Sequence, residues 1–464
     1  MAHPLGVDAQ PEIDFHILSF EGPDPYARAG GIASRLSGLA QALAQEGFEA
    51  HLWFIGDPDL PGHETIGRLS LHRWCQWISR YHRGGVYDGE GGKRNDYSAS
   101  LPPFLLREQL RPRLAHPDRR AVILAEEWQT ASALLHIDAL LRVAGLRERV
   151  AILWNANNVF GFEQVDWRRL AAGARITTVS RYMRHLMWPL GVDPLVIPNG
   201  VPDDYLQPAA QASLAALRRM LRDRLVLTKV ARWDPDKRWL LAVDIVAELK
   251  RLGARPLLIA RGGVEEHGTE VLARARAAGL HVVERAIPRP SEEDLLCGLA
   301  GLEEADVVSL RSHLTPPLLR LLFRGSAAVL ANSGREPFGL VGLETMAAGG
   351  VACVGGTGED YAVPGWNSLL LQTEDPREFP TLFRRLLSNP ADERAVRARA
   401  IATARCYTWR RVIRRDLLPR VFQMVDDGRA AVARASSYRR RAEPRKLAVA
   451  SVAAQRGRGE LSGV

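Results

Sequence analysis

The sequence predicts an α/β protein built from two doubly wound domains, each around its own parallel sheet, and three observations carry that prediction. Near the start, a buried strand, a glycine-bearing loop, an amphipathic helix and a second strand follow one another, which is the order of a βαβ unit. The alternation lapses into a polar stretch after Pro202 and begins afresh at LVLTKVARW. The chain has 464 residues, more than one ordinary core accommodates, so two cores are expected.

The first domain is read as residues 12–205. Asp14 to Phe20 (DFHILSF) is a continuous apolar run of strand length; the loop EGPDPYARAGG follows, then the helix IASRLSGLAQALAQEG, closed by Gly47, then the strand EAHLWFIG. Residues 72–100, rich in Trp, Tyr, Arg and Gly, are too polar for core. They read as a long folded loop, either facing an acceptor or forming a subdomain with no direct role. The strands AVILAEEW, RVAILWNANN, ARITTVS and PLVIPNG complete this half. The second domain is read as 206–405, from LVLTKVARW through LLAVDIVAELKRLG, RPLLIARG, HVVERA, DVVSL, AAVLANS and VACVGG. Residues 406–427 read as a C-terminal helix crossing back to the first domain. Residues 428–464, an Ala/Arg/Ser segment with little to bury, read as a disordered basic tail.

Charge narrows the function classes. The net charge is +9, but the tail carries nine Lys or Arg against Glu443 and Glu460, which leaves the folded part nearly neutral. No nucleic-acid partner is expected on that ground. Four cysteines stand singly, without the close pairs of a zinc or redox site. No apolar run is long enough to span a bilayer and no secretory leader is evident, so a cytoplasmic enzyme is expected.

Three segments carry candidate chemistry. Gly30 and Gly31 close the first strand-to-helix loop, where missing side chains let a ligand reach backbone N–H groups; glycines that serve only the turn are the alternative. In KVARWDPDKR, Arg232 and Lys237 stand where two cations converge on a diphosphate, or else form a solvated pair. In REPFGLVGLETMAAGG, Pro337 keeps Arg335 and Glu336 extended ahead of a helix that begins near Leu340, and Glu344 lies one turn inside it. The N–H groups of Phe338, Gly339 and Leu340 then make an anion site between two carboxylates. Phosphate on the N–H groups and hydroxyls on the glutamates describe a sugar nucleotide. The strings Asp57 to Asp59 and Asp234 to Asp236 each hold a turn-forming proline and read as turns, so no metal site is assigned.

These segments resemble the retaining family 4 glycosyltransferases of the GT-B fold, in which two Rossmann-like domains close over a nucleotide sugar. The resemblance covers most of residues 14–425. It rests on EPFGLVGLE with Arg232 and Lys237, and also on GGIASRLSGLAQALAQEGFEAHL, VSRYMRHLMWPLGVDPLVIPNGV, GGTGEDYAVPGWNSLLL and YTWRRV. It implies that Glu336 holds donor-sugar hydroxyls beside Phe338 and Gly339. Leu340 and Val341 would meet the distal phosphate, Glu344 the ribose, Arg232 and Lys237 the departing diphosphate, and Gly30 and Gly31 the phosphate or acceptor. It implies a nucleoside-diphosphate sugar as donor, a hydroxyl acceptor, no cofactor and no divalent metal. AEEWQTA is similar to the HDWQT stretch of starch and glycogen synthases, with Glu126 and Glu127 in place of the histidine; Glu126 is the candidate to accept a hydroxyl proton, with Glu127 open in the same role and acids that merely favour a helix start as the alternative. Asn157 and Asn158 end the next strand and are expected in the same crevice. The implied reaction moves a hexose, glucose by that resemblance, with the α configuration kept. The alternative from another class is a catalytically silent nucleotide-sugar sensor or scaffold.

Overall fold

The computed structural model describes residues 12–428 and residue 430, so the expected tail lies almost wholly outside the described residues. The chain builds two sheets. The first contains β1 (Ile13–Leu18), β2 (Glu49–Ile55), β3 (His63–Ile66), β4 (Leu69–Trp74), β5 (Arg120–Glu126), β6 (Val150–Ala156), β7 (Arg175–Thr178) and β8 (Leu195–Val196), in the order 3-4-2-1-5-6-7-8. Every pairing in it is parallel except the β3–β4 hairpin. Helices cover both faces, which is why β1, β5 and β6 are buried along their whole lengths and read as unbroken apolar runs.

The second sheet contains β9 (Leu225–Val230), β10 (Pro256–Arg261), β11 (Val282–Arg285), β12 (Val307–Leu310), β13 (Ala328–Ala331), β14 (Ala352–Val354) and β15 (Leu369–Leu370), all parallel, in the order 11-12-10-9-13-14-15. In each sheet the strand order reverses once, between β1 and β5 and between β9 and β13. Loops leaving adjacent strands at such a reversal diverge to opposite faces and open a crevice beyond the strand ends. Lys237 lies in the loop leaving β9 and Glu336 in the loop after β13, so the meeting of these two residues is dictated by topology.

Residues 72–100 are not a loop. Residues 72–74 finish β4, Gln76–Ser79 is a short helix, and Glu90–Phe104 is a fifteen-residue helix that runs on through a wider π turn, Leu105–Leu110. Tyr97, Leu101 and Leu105, four residues apart, face the core and are fully buried. The Tyr97 hydroxyl donates to the Trp53 carbonyl at 2.9 Å. Lys93 is buried as well, its ammonium spent on the Tyr26 hydroxyl (2.6 Å) and the carbonyls of Gly85 (2.9 Å) and Val86 (3.1 Å). Glycines and charges outside the four-residue stripe, together with Pro102 and Pro103 inside the helix, hide that stripe in the sequence.

The chain crosses between the sheets at two places that hydrogen-bond to each other, Val201 N–H to the Tyr407 carbonyl (2.9 Å) and Trp409 N–H to the Val201 carbonyl (3.2 Å). Beyond them Trp409, Val412, Ile413, Leu417, Val421 and Val425 pack with Leu36, Leu39 and Leu43 of the first helix, Gly31–Gln45. A Cβ at Gly38 or Gly200 would collide with the Trp409 indole, so both positions require glycine.

Candidate functional site

The loop leaving β9 is shaped by its own side chains. Asp234 accepts from Asp236 N–H (2.9 Å) and caps the turn Pro235–Lys237, after which Arg238 takes a left-handed conformation (φ 50°). Gly334 N–H donates to the Asp236 carbonyl at 2.7 Å, tying this loop to the one after β13. Lys237 is thereby aimed at Glu336: its Nζ lies 2.6 Å from Oε2, with side chains 22% and 20% exposed. Arg232 is not brought in. Its side chain is 55% exposed and, among the described residues, reaches only Asp234, at 3.8 Å.

Glu336 is held from behind. Its N–H donates to Thr357 Oγ1 (2.8 Å) and its carbonyl accepts from Gly358 N–H (2.9 Å); a Cβ at Gly358 would collide with the carbonyl oxygens of Glu336 and Pro337. Gly339 (φ 78°) turns the chain into the helix Leu340–Ala347. The N–H groups of Phe338, Gly339, Leu340 and Val341 find no hydrogen-bond acceptor among the described residues, which leaves a positively polarised helix end open toward the crevice. The Phe338 ring is buried, 5.6 Å from Tyr361 and 6.4 Å from Tyr407, and anchors this turn. Glu344, one turn further on, sits against the Tyr205 hydroxyl, and burial pushes its carboxyl up to about 8. Gly30 has no neighbour that a Cβ would meet, whereas a Cβ at Gly31 would touch the Leu340 side chain at 3.7 Å. The helices Gly31–Gln45 and Leu340–Ala347 therefore present their N-termini to each other across the cleft.

The reading of Glu126 as a proton acceptor is corrected. Its carboxylate is 1% exposed and already accepts from Arg35 (Nε at 3.3 and 3.2 Å, Nη2 at 3.2 Å), Asn155 (2.8 Å) and Asn157 (2.8 Å). Both oxygens are saturated, so none is left for a substrate hydroxyl. Arg35 continues the network to Asn199 at the crossover. Glu127, at a positive φ of 68°, accepts from Asn157 N–H (2.6 Å), and burial pushes its carboxyl up to about 8. Asn158 turns back to accept from Phe160 N–H (2.7 Å).

Three groups of this region escape a reading by sequence. Glu21 accepts from Gly30 and Ala33 N–H groups at the start of the first helix. Glu359 is 6% exposed beneath Gly339; burial, then the neighbouring Glu336, push it up to about 7. Lys229, fully buried in β9, donates to the Leu330 carbonyl (3.0 Å) and Asn332 (2.7 Å), and burial draws it down to about 7. Lys229 alone left a signal, a charge in the middle of the apolar run LVLTKV. Asp57 accepts from Asp59 N–H (2.9 Å) as Asp234 does from Asp236, so both Asp-Pro-Asp strings are turns. Among the described residues no cluster of three His, Cys, Asp or Glu is arranged to hold a metal ion, and no helix is long and apolar enough to cross a membrane.

A carboxylate paired with a lysine, beside an open helix N-terminus, can bind a ligand that is anionic at one end and hydroxylated at the other. Known proteins resemble the chain in sequence and in fold. The chain is 30% identical over 224 residues to the D-inositol 3-phosphate glycosyltransferase of Thermobispora bispora, a match spanning 46% of this chain and 47% of that protein, about half its length. It is 28% identical over 416 residues to the enzyme of the same name from Kineococcus radiotolerans (82% and 88%), and 26% identical over 424 residues to glycogen synthase of Bordetella petrii (74% and 77%). Among solved structures, sucrose-phosphate synthase of Thermosynechococcus elongatus superposes with a TM-score of 0.63 at 17% identity, covering 89% of this chain and 99% of that one. The Anabaena protein Alr3699/HepE in complex with UDP gives 0.56 at 14% identity (86% and 97%). No protein-family model matches the chain.

Proposed function

We propose that the chain, which is similar to family 4 enzymes in sequence and to GT-B glycosyltransferases in fold, is itself a glycosyltransferase that transfers a hexose, with glucose preferred, from a nucleoside diphosphate to a hydroxyl acceptor and keeps the α configuration. The observation that carries this reading is the Lys237–Glu336 pair at the open N-terminus of Leu340–Ala347. Glu336 takes sugar hydroxyls, the N–H groups of Leu340 and Val341 take the distal phosphate, and Glu344 takes the ribose. Lys237, freed from Glu336 when the donor enters, neutralises the departing diphosphate, with Arg232 swinging in from solvent as the second cation. Charge placed where a leaving group develops is worth several kcal/mol, because it costs no solvent reorganisation during the reaction. The preference for glucose follows from WQT at Trp128–Thr130 and from the similarity to a glycogen synthase.

The test is a donor screen. Purified protein is incubated with UDP-, ADP- and GDP-linked hexoses and a panel of hydroxyl acceptors, and nucleoside diphosphate release is followed. Glu336→Ala and Lys237→Ala are each expected to lower kcat/KM by ~10²-fold or more. Donor binding without release across the panel would replace the transferase reading with that of a nucleotide-sugar sensor.

A further inference from the structure

The first domain's half of the cleft also offers a helix N-terminus, that of Gly31–Gln45, and the chain fills it with a carboxylate of its own. Glu21, in the loop leaving β1, accepts from Gly30 N–H (3.2 Å) and Ala33 N–H (3.0 Å), and its other oxygen accepts from the Tyr87 hydroxyl (2.7 Å). Such an N-terminus is where a substrate phosphate would otherwise find unpaired N–H groups and a favourable dipole. Glu90 and Glu127 lie close enough to act electrostatically on the same hydroxyl. Gln129, 6% exposed, gives its amide N–H to Glu90 (2.9 Å) and leaves its Oε1 with no partner. A buried acceptor in that condition calls for a donor from outside the chain. Two cations on this side are occupied, Lys93 buried under Tyr26 and Arg94 stacked on Trp128 (4.8 Å) while donating to Gln164 (2.5 Å), and the exposed Arg28 of the same loop donates to the Pro23 carbonyl (2.8 Å).

We propose that Glu21 sets the acceptor class: the acceptor subsite takes a hydroxyl compound that is neutral or carries an amine, and rejects phosphorylated ones. This rests on the transferase reading above. Hydroxyl and ammonium groups supply the donor that Gln129 Oε1 lacks, whereas a phosphate finds the Gly30 and Ala33 N–H groups taken by Glu21 and faces the Glu21 and Glu90 carboxylates.

Two arms test it. In the turnover arm, nucleoside diphosphate release is compared with glucose, glucosamine and glucose 6-phosphate as acceptors. The wild type should favour glucose or glucosamine over glucose 6-phosphate by at least about tenfold in kcat/KM, and Glu21→Gln should narrow that gap. Glucose 6-phosphate outrunning glucose, or a gap unmoved by Glu21→Gln, overturns the proposal. The binding arm needs no turnover. With the donor site saturated by whichever nucleoside diphosphate stabilises the protein most, millimolar inorganic phosphate should leave the melting temperature of the wild type unchanged and raise that of Glu21→Ala, whose helix end is vacated. Glu21→Gln serves if the alanine variant does not fold. Equal stabilisation of wild type and variants by phosphate refutes the role of Glu21. Absence of turnover with every acceptor counts against the transferase reading alone, since the binding arm still decides on Glu21.

Discussion

Replacing Glu126 with alanine separates a supporting role from a chemical one. In the folded chain its carboxylate and the Arg35 guanidinium are 1% and 4% exposed, and the carboxylate also receives the side-chain amides of Asn155 and Asn157. Glu126→Ala leaves a buried guanidinium without its counter-charge and the Asn157 amide without its acceptor, a loss of ~3–5 kcal/mol. At ~2–4 °C per kcal/mol for a domain of this size, the melting temperature should fall by roughly 6–20 °C. The companion variant Arg35→Met/Glu126→Leu removes both charges and fills the space with apolar atoms, an exchange that is often neutral. Urea unfolding followed by tryptophan fluorescence measures stability, and kcat/KM is taken at a temperature where all variants are folded. The double variant should recover most of the stability and stay within about tenfold of wild-type kcat/KM, because a general base would account for ~10²–10⁴-fold and a supporting pair does not. A double variant that is stable yet lowered by 10²-fold or more would refute the reasoning and return Glu126 to the chemistry.

Three further outcomes are expected. Glu344 has an unfolded value of 4.5 and is raised by burial to about 8, so the folded state holds its proton more tightly and the associated stability is lost as pH rises through 8. Against Glu344→Gln, wild-type stability in urea should therefore fall by ~2–3 kcal/mol between pH 5.5 and 7.5, and parallel curves would contradict this. His72 stacks on Trp53 at 3.6 Å beside His51, and burial lowers it to about 3. Its folded value is depressed, so the neutral form is favoured and stability is lost as pH falls below 6.5; relative to His72→Phe, the wild type should lose ~3 kcal/mol by pH 4, read from urea midpoints. Gly339→Ala forces a side chain into φ 78° and sets its Cβ 2.7 Å from Glu359 Cγ; a loss of ~1–3 kcal/mol in urea unfolding is expected, with weaker nucleoside diphosphate binding by calorimetry.

The parts of this molecule that sequence discloses are those whose physics is local. Strands buried on both faces need apolar runs, and strand-to-helix turns need glycine, so both sheets and the loops that end in Lys237 and Glu336 can be placed without coordinates. The helix Glu90–Phe104 resists because its buried stripe is four residues apart within a polar string, and because one member of its buried face is Lys93.

Carboxylates resist for a different reason: what each one does is set by a partner far away in sequence. Glu336 answers to Lys237, 99 residues earlier, and remains half-open to the cleft; Glu126 answers to Arg35, 91 residues earlier, and is sealed. Glu21 turns back on the helix that follows it and spends its charge on Gly30 and Ala33. Composition and spacing treat these side chains alike. Exposure and the number of lone pairs still unspent distinguish them, and by that measure Glu336, whose cation can be drawn away by an incoming diphosphate, is the carboxylate with capacity left for a substrate.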